Sequence, residues 1–105
     1  MRPIKFRAWD KQLNIMVYAG NEVIFYLNYL PQRIIMQFTG LTDKNGIEIY
    51  ESDIVIHEYE SEYGPLEHRD VVEYLGGAFY PICEKPENEF EVIGNIYETP
   101  ELLKS

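Results

Sequence analysis

The sequence is a succession of short apolar runs, rich in β-branched and aromatic residues, that are interrupted by glycine, proline, asparagine or aspartate. Residues 4–9 show the pattern clearly, because Ile4, Phe6 and Ala8 alternate with polar or larger residues and share one face of a strand. The chain also contains nine tyrosines and five phenylalanines, which favour strands over helices. The pattern therefore predicts an all-β fold.

The pattern predicts strands over residues 4–9, 15–18, 23–27, 34–39, 47–50, 54–59, 71–75, 78–82 and 90–97. Residues 43–46 predict a tight turn, since asparagine and glycine tolerate a positive φ. We expect residues 61–70 to form a polar, mobile loop and residues 84–89 an acidic loop. Near the end, Thr99 is a predicted N-cap and Pro100 the first position of a single helical turn.

The spacing of these strands predicts one small domain over residues 1–105. Within it we expect a small, bent SH3-like barrel over residues 39–98. An added N-terminal β-hairpin and the strand after it, residues 1–38, would cover the open side of the barrel, and residues 99–105 would form the C-terminal helical turn.

Charge and composition exclude several classes of function. The net charge is −9, and residues 51–105 hold fourteen acidic but only three basic side chains, so nucleic acid is a disfavoured partner. The chain has neither an apolar run of about 18 residues nor a secretory signal, which predicts a cytoplasmic protein without a membrane segment. Cys83 is the single cysteine, so it predicts neither a disulfide nor a metal cluster, and we expect no cofactor.

Acidic and tyrosine residues near the predicted turn form a candidate interaction surface. Its members are Asp43, Asn45, Glu51, Asp53, Tyr59 and Tyr63. The alternative for the first four is turn chemistry, in which Asx side chains cap their own backbone. The turn chemistry is the favoured interpretation.

One basic patch contains an aromatic residue and consists of Arg2, Lys5, Arg7, Trp9 and Lys11. Such a stripe is typical of sites for single-stranded nucleic acid. The favoured alternative is a covering hairpin whose basic face lies against the acidic half of the same chain or of a neighbouring copy.

The two histidines are the candidate metal ligands. In a strand, His57 points away from Glu58, so the two cannot converge locally. His68 lies in the predicted loop and could approach His57, which keeps a site of histidines and carboxylates as a weaker alternative. Cys83 ends a predicted strand and is interpreted as a packing residue. We predict no catalytic residues and hence no enzyme; the alternative of an enzyme would require His57 or His68 to meet carboxylates in a pocket.

Three segments together resemble a known family: IKFRAWD (4–10), QFTGLTDKNGIEIYESDIV (37–55) and VIGNIYETPELL (92–103). They are similar to the YopX family of phage and prophage proteins. The resemblance implies an SH3-like β architecture, a phage or prophage origin and self-association, but no established activity. The family usually has glycine where this chain has Ser52; if that position needs a positive φ, serine costs about 1 kcal/mol there, unless the turn is adjusted.

The expected function is that of a non-catalytic phage or prophage accessory protein. We expect a β-module that forms homo-oligomers through unpaired strand edges and presents an acidic surface to a host or phage protein. The alternative is an acidic mimic of DNA that blocks a nucleic-acid-binding protein of the host.

Overall fold

Strands dominate the structure, a computed structural model that describes residues 4–20 and 33–103. A short 3₁₀ helix precedes the last strand and another, Pro100–Leu103, follows it. The strands are β1 (Lys5–Asp10), β2 (Ile15–Gly20), β3 (Arg33–Thr42), β4 (Glu48–Tyr50), β5 (Asp53–Ser61), β6 (Gly64–Val71), β7 (Glu73–Leu75), β8 (Ala78–Tyr80) and β9 (Glu91–Asn95).

The strands form a four-stranded sheet with the order β2-β1-β3-β4, a three-stranded sheet with the order β6-β5-β9, and the hairpin β7-β8. They curl into an incomplete barrel. The all-β fold with an N-terminal β-hairpin and a short C-terminal helical turn is confirmed.

The core lies where the end of the four-stranded sheet meets the strands that follow it. Ile49, Val55, Val72, Ile82 and Phe90 are almost completely buried and form one hydrophobic cluster. These residues come from five separate segments, so the core joins the hairpin β7-β8, the three-stranded sheet and the end of the four-stranded sheet.

The prediction of a mobile loop over residues 61–70 is wrong. Residues 64–71 form β6, which pairs with β5 in a regular register from Ser61↔Gly64 to Ile54↔Val71. Glu62 and Tyr63 alone make the turn, and Gly64 takes a φ of 105°. The polar composition misled the prediction, because most of β6 is exposed on both faces and lacks the alternation of a half-buried strand.

Smaller differences concern the ends of elements. β3 continues through Gly40 to Thr42, with a register irregularity between Phe38 and Thr42, instead of ending at Gly40. The Thr99 side chain hydrogen-bonds the backbone of Asn95, while the Thr99 carbonyl accepts the first bond of the C-terminal turn, from Leu102. The predicted strand over residues 23–27 lies outside the described residues.

Ser52 has a φ of 73°, so the turn between β4 and β5 keeps the left-handed conformation instead of adjusting to serine. Two backbone hydrogen bonds hold the residue there. Its N–H donates to the Val72 carbonyl at 2.8 Å, and its carbonyl accepts from the Ile96 N–H at 3.1 Å. The neighbouring strands therefore fix the conformation of this residue.

Candidate functional site

A buried ion pair joins the N-terminal hairpin to the barrel. Arg7 of β1 and Asp53 of β5 are 3% and 2% exposed, and Nη2 of Arg7 lies 2.8 Å from Oδ1 of Asp53. The same Nη2 donates to the Glu51 carbonyl at 3.0 Å, and the guanidinium lies over the Tyr50 ring. The second oxygen of Asp53 accepts from the Tyr50 N–H at 2.7 Å.

The ion pair lies beside a cleft of about 360 Å³, here called the Arg7 cleft, whose rim includes the half-exposed Tyr18 and Ile47. Burial raises the pKa of Asp53, and the Arg7 guanidinium opposes that rise. Burial also raises the pKa of Tyr50. Nε of Arg7 has no hydrogen-bond partner in the described residues. Arg7 and Asp53 pair with each other, and Glu48, which also lines the cleft, pairs with Lys5, so the charged side chains of the cleft already have partners within the chain.

The Asp43 carboxylate accepts hydrogen bonds from three backbone N–H groups. One of its oxygens accepts from the N–H groups of Asn45 and Ile47 at 2.8 and 2.9 Å, and the other accepts from the Val92 N–H at 2.8 Å. The side chain thus closes its own turn and fastens that turn to β9, and the residue is 5% exposed. The turn chemistry predicted for Asp43 is confirmed.

The predicted interaction surface is consequently wrong for Asp43 and Asp53, because both carboxylates are buried and engaged within the chain. Glu51 is half-buried and accepts the Gln37 N–H at 2.7 Å. Asn45 is exposed on its turn. Tyr59 and Tyr63 are 46% and 88% exposed, so they remain available to a partner.

The basic patch is not an exposed surface. Arg7 is buried, and Trp9 is 9% exposed and stacks on Tyr97 with ring centroids 5.7 Å apart. Lys5 forms an ion pair with Glu48, and Lys11 is exposed. Arg2 lies outside the described residues. The predicted contact of the basic face with the acidic half of the same chain holds for Arg7, which bonds Asp53, but not for Lys5, whose partner Glu48 lies outside residues 51–105.

The two histidines do come together, on one face of the β5–β6 hairpin. His57 and His68 are cross-strand partners, and their rings lie 5.7 Å apart. Asp70 lies beside both, with one oxygen 2.9 Å from Nε2 of His57 and the other 3.2 Å from Nε2 of His68. The three residues line a groove of about 490 Å³ together with Tyr59 and Tyr80.

No group of three or more His, Cys, Asp or Glu side chains within residues 4–20 and 33–103 has the geometry of a metal site. Sequence reasoning missed Asp70, which joins the two histidines. A two-residue turn at 62–63 was the available signal, since it alone sets the register that places His57 opposite His68. As placed, the cluster is a hydrogen-bonded bridge across two strands.

Residues 57–68 form an arm. β9 pairs with β5 only as far as Ile56, and beyond that point the two strands of the hairpin continue as a ribbon. One face of the ribbon, here called the acidic face, carries Glu58, Glu60 and Glu67, all exposed. Glu58 and Glu67 also line a groove of about 300 Å³ with Glu89 and Glu91. Glu91 pairs with Lys44, which also lines this groove, whereas Glu58, Glu67 and Glu89 have no ion-pair partner in the described residues. No prediction placed a site here.

Residues 20–104 match the model of a protein family that is described as "YopX protein". The chain belongs to the YopX family. A similar solved structure is the crystal structure of protein EF1440 from Enterococcus faecalis, which covers 99% of this chain and 100% of its own at 26% identity and a TM-score of 0.67. No match was found among curated proteins.

The segments by which the chain resembles the YopX family meet at the Arg7 cleft. Every residue that lines it except Tyr18 belongs to residues 4–10, 37–55 or 92–103. The middle and last segments also hold the turn of Asp43 and its anchor at Val92. These segments therefore build the junction between the two large sheets. Within the described residues, no helix is long and apolar enough to cross a membrane.

Proposed function

We propose that this YopX-family chain is a non-catalytic accessory protein of a phage or prophage, which self-associates and offers an acidic surface to a host or phage protein in the cytoplasm. The acidic face of the arm is the observation that carries the proposal. Glu58 and Glu67 are cross-strand partners, and like charges directly opposite each other destabilise a sheet. A cationic partner that neutralises Glu58 and Glu67 removes this repulsion, which favours its binding to the exposed ribbon.

Few basic side chains in the described residues are without a partner in the same chain. Every lysine and arginine in the described residues except Lys11 already contacts a carboxylate or a backbone carbonyl of the same chain. The described residues of a second copy therefore offer Glu58 and Glu60 few free cationic side chains. This supports a different, basic protein as the partner of the acidic face.

The shape of the arm supports a binding role as well. Isolated two-stranded ribbons are marginally stable in water, and this one exposes Tyr59, Tyr63 and Leu66. Tyr59 and Leu66 are cross-strand partners on the face opposite the acidic face, and exposed tyrosines are typical of protein interfaces. Cys83 is exposed, so its interpretation as a packing residue is wrong, although the pocket that it lines has apolar neighbours such as Leu41 and Ile82.

The test compares two variants of equal net charge. Glu58→Gln, Glu60→Gln and Glu89→Gln together remove two of the three carboxylates of the acidic face and one more from its groove, whereas Glu73→Gln, Glu84→Gln and Glu101→Gln neutralise carboxylates elsewhere. Each variant and the unchanged protein are immobilised, and proteins retained from host lysate are compared at equal salt. We expect the first variant to lose a protein that the other two retain.

Equal retention by both variants would contradict a binding role for the acidic face. Sedimentation of the unchanged protein tests self-association separately, and a strict monomer at every concentration would contradict that part of the proposal.

A mimic of DNA is the second candidate function. Glu58, Glu67, Glu89 and Glu91 around one groove favour it, because carboxylates gathered on one side can replace phosphates against a basic surface. The two functions differ in one measurement: a mimic displaces DNA from the captured protein in a mobility-shift competition, and the acidic-face variant does not. A partner without affinity for DNA would exclude the mimic.

A further inference from the structure

The outer edge of β6 has no strand partner in the described part of the chain, where β6 ends the order β6-β5-β9. It is eight residues long, whereas β7 and β8 have three residues each. The opposite edge of the same sheet is covered, because Asp43 accepts the Val92 N–H and Thr99 accepts the Asn95 N–H. The β6 edge is therefore the long, unpaired edge of this sheet at which another strand can add.

The register shows which backbone groups face outward. In a two-residue hairpin the flanking pair Ser61↔Gly64 exchanges hydrogen bonds, and every second pair after it does the same. The bond from the Val72 N–H to the Asp53 carbonyl fits this alternation. The N–H and C=O groups of Glu67 and Arg69 consequently point away from β5. Pro65, which has no N–H, also occupies an outward position, as expected on an edge.

The charges on this edge favour one register with a second copy. Antiparallel pairing around a two-fold axis at Glu67 would place two Glu67 side chains opposite each other, and an axis at Arg69 would do the same with two arginines. An axis at His68 places Glu67 opposite Arg69 twice. Opposite charges in cross-strand positions stabilise a sheet and like charges destabilise it, so the pattern selects the third register.

We infer that two copies of the chain associate by antiparallel pairing of their β6 strands around a two-fold axis at His68, with Glu67 of each copy facing Arg69 of the other. The inference rests on the self-association in the proposed function and assigns its interface. Arg69 can take part because its guanidinium has five N–H groups, of which the structure shows one donating, to the Leu102 carbonyl. An interface of two edge strands is small, so the dimer is expected to be weak and dependent on concentration.

A charge-reversal cycle tests the pairing. Glu67→Arg and Arg69→Glu each place like charges opposite each other at two positions, and each is expected to weaken dimerisation about tenfold. Glu67→Arg combined with Arg69→Glu restores opposite charges and is expected to restore the dimer. The measurement is sedimentation equilibrium between about 10 µM and about 1 mM, the range for a weak dimer.

Glu60→Arg is the matched control, because it makes the same change of charge on the same face of the ribbon but on β5. It should leave the dimerisation constant unchanged. If the unchanged protein dimerises and the double reversal fails to recover what the single reversals lose, the interface lies elsewhere while self-association stands. If the unchanged protein is monomeric throughout, the self-association in the proposed function fails together with this interface.

Discussion

Ser52 holds a left-handed conformation that the hydrogen bonds to Val72 and Ile96 impose on it. A residue with a Cβ atom is strained there by about 1 kcal/mol relative to glycine. We expect Ser52→Gly to raise the free energy of unfolding by about 0.5–1 kcal/mol, since part of the relief is offset by the greater freedom of glycine in the unfolded chain. Urea denaturation measures the change.

Gly46 provides the reverse comparison for Ser52. Its φ is 80°, and a Cβ added there would meet no atom within 4 Å, so Gly46→Ser introduces backbone strain without a steric clash. We expect Gly46→Ser to lower stability by about 1 kcal/mol. A destabilising Ser52→Gly would mean that the serine side chain makes a contribution larger than its strain.

Asp10 links stability to acidic pH. The Leu13 N–H, which donates to Asp10 at 3.0 Å, lowers the pKa of this carboxyl, and Arg33 and the Gln12 N–H add to the effect against the opposing influence of burial. A carboxyl with a lowered pKa stabilises the fold above its unfolded pKa of about 4 and loses that contribution as pH falls through its folded value.

We therefore expect Asp10→Asn to be less stable than the unchanged protein at pH 7, with the difference shrinking towards pH 3. Urea denaturation at a series of pH values measures this difference. A difference that stays constant over the whole series would show that Asp10 acts through packing instead of charge.

Individual side chains differ in how far the sequence predicted them. The Asx chemistry of Asp43 followed from the turn residues alone. The burial of Arg7 did not, because alternation assigns side chains to two faces of a strand but does not say that both faces are covered. Arg7 is in addition matched to Asp53, and a partner distant in the sequence leaves no local signal.

At the level of elements, the Arg7–Asp53 ion pair connects β1 to β5. Arg7→Met leaves the Asp53 carboxylate buried without its partner, and we expect a loss of about 3–5 kcal/mol at pH 7. Burial raises the pKa of Asp53, and removal of the Arg7 charge leaves the Tyr50 N–H as the hydrogen bond that still opposes that rise. An acid with a raised pKa lowers stability as pH rises through its folded value, so the loss should be smaller at pH 4 than at pH 7.

Two variants control for the loss of a positive charge and of packing around Arg7. Lys44→Met removes an exposed ion pair with Glu91 and should cost less than about 1 kcal/mol. Arg7→Met combined with Asp53→Asn should be more stable than Arg7→Met alone, because the amide oxygen of an asparagine can still accept the Tyr50 N–H and carries no charge. If the double variant is no better than Arg7→Met, the charge of Asp53 is not the cause of the loss.

Elements with one buried face were predictable, and elements with none were not. β1 alternates and was predicted within one residue of its bounds, whereas β6 was taken for a loop. Strand prediction from alternation depends on a core that covers one face. The arm has no such core over most of its length, so its pairing depends on the hairpin turn at residues 62–63.

At the scale of the whole molecule, the hydrophobic core and several polar contacts join the four-stranded sheet to the strands that follow it, and two of these contacts use charge: Arg7 with Asp53, and Asp43 with Val92. Trp9 of β1 stacks on Tyr97, which follows β9. The sequence predicts a single domain over residues 1–105. We therefore expect these contacts to make the N-terminal sheet and the barrel unfold together.

Trp9 makes the unity of the domain measurable, because it is the single tryptophan and it lies in the N-terminal sheet against a residue of the C-terminal segment. We expect urea denaturation followed by Trp9 fluorescence to coincide with denaturation followed by far-ultraviolet circular dichroism, which reports the strands of both parts. Arg7→Met weakens the junction, so in that variant the fluorescence transition should shift to lower urea at least as far as the dichroism transition. Two separated transitions in the unchanged protein would mean that the hairpin is an independent cover on a barrel that folds by itself.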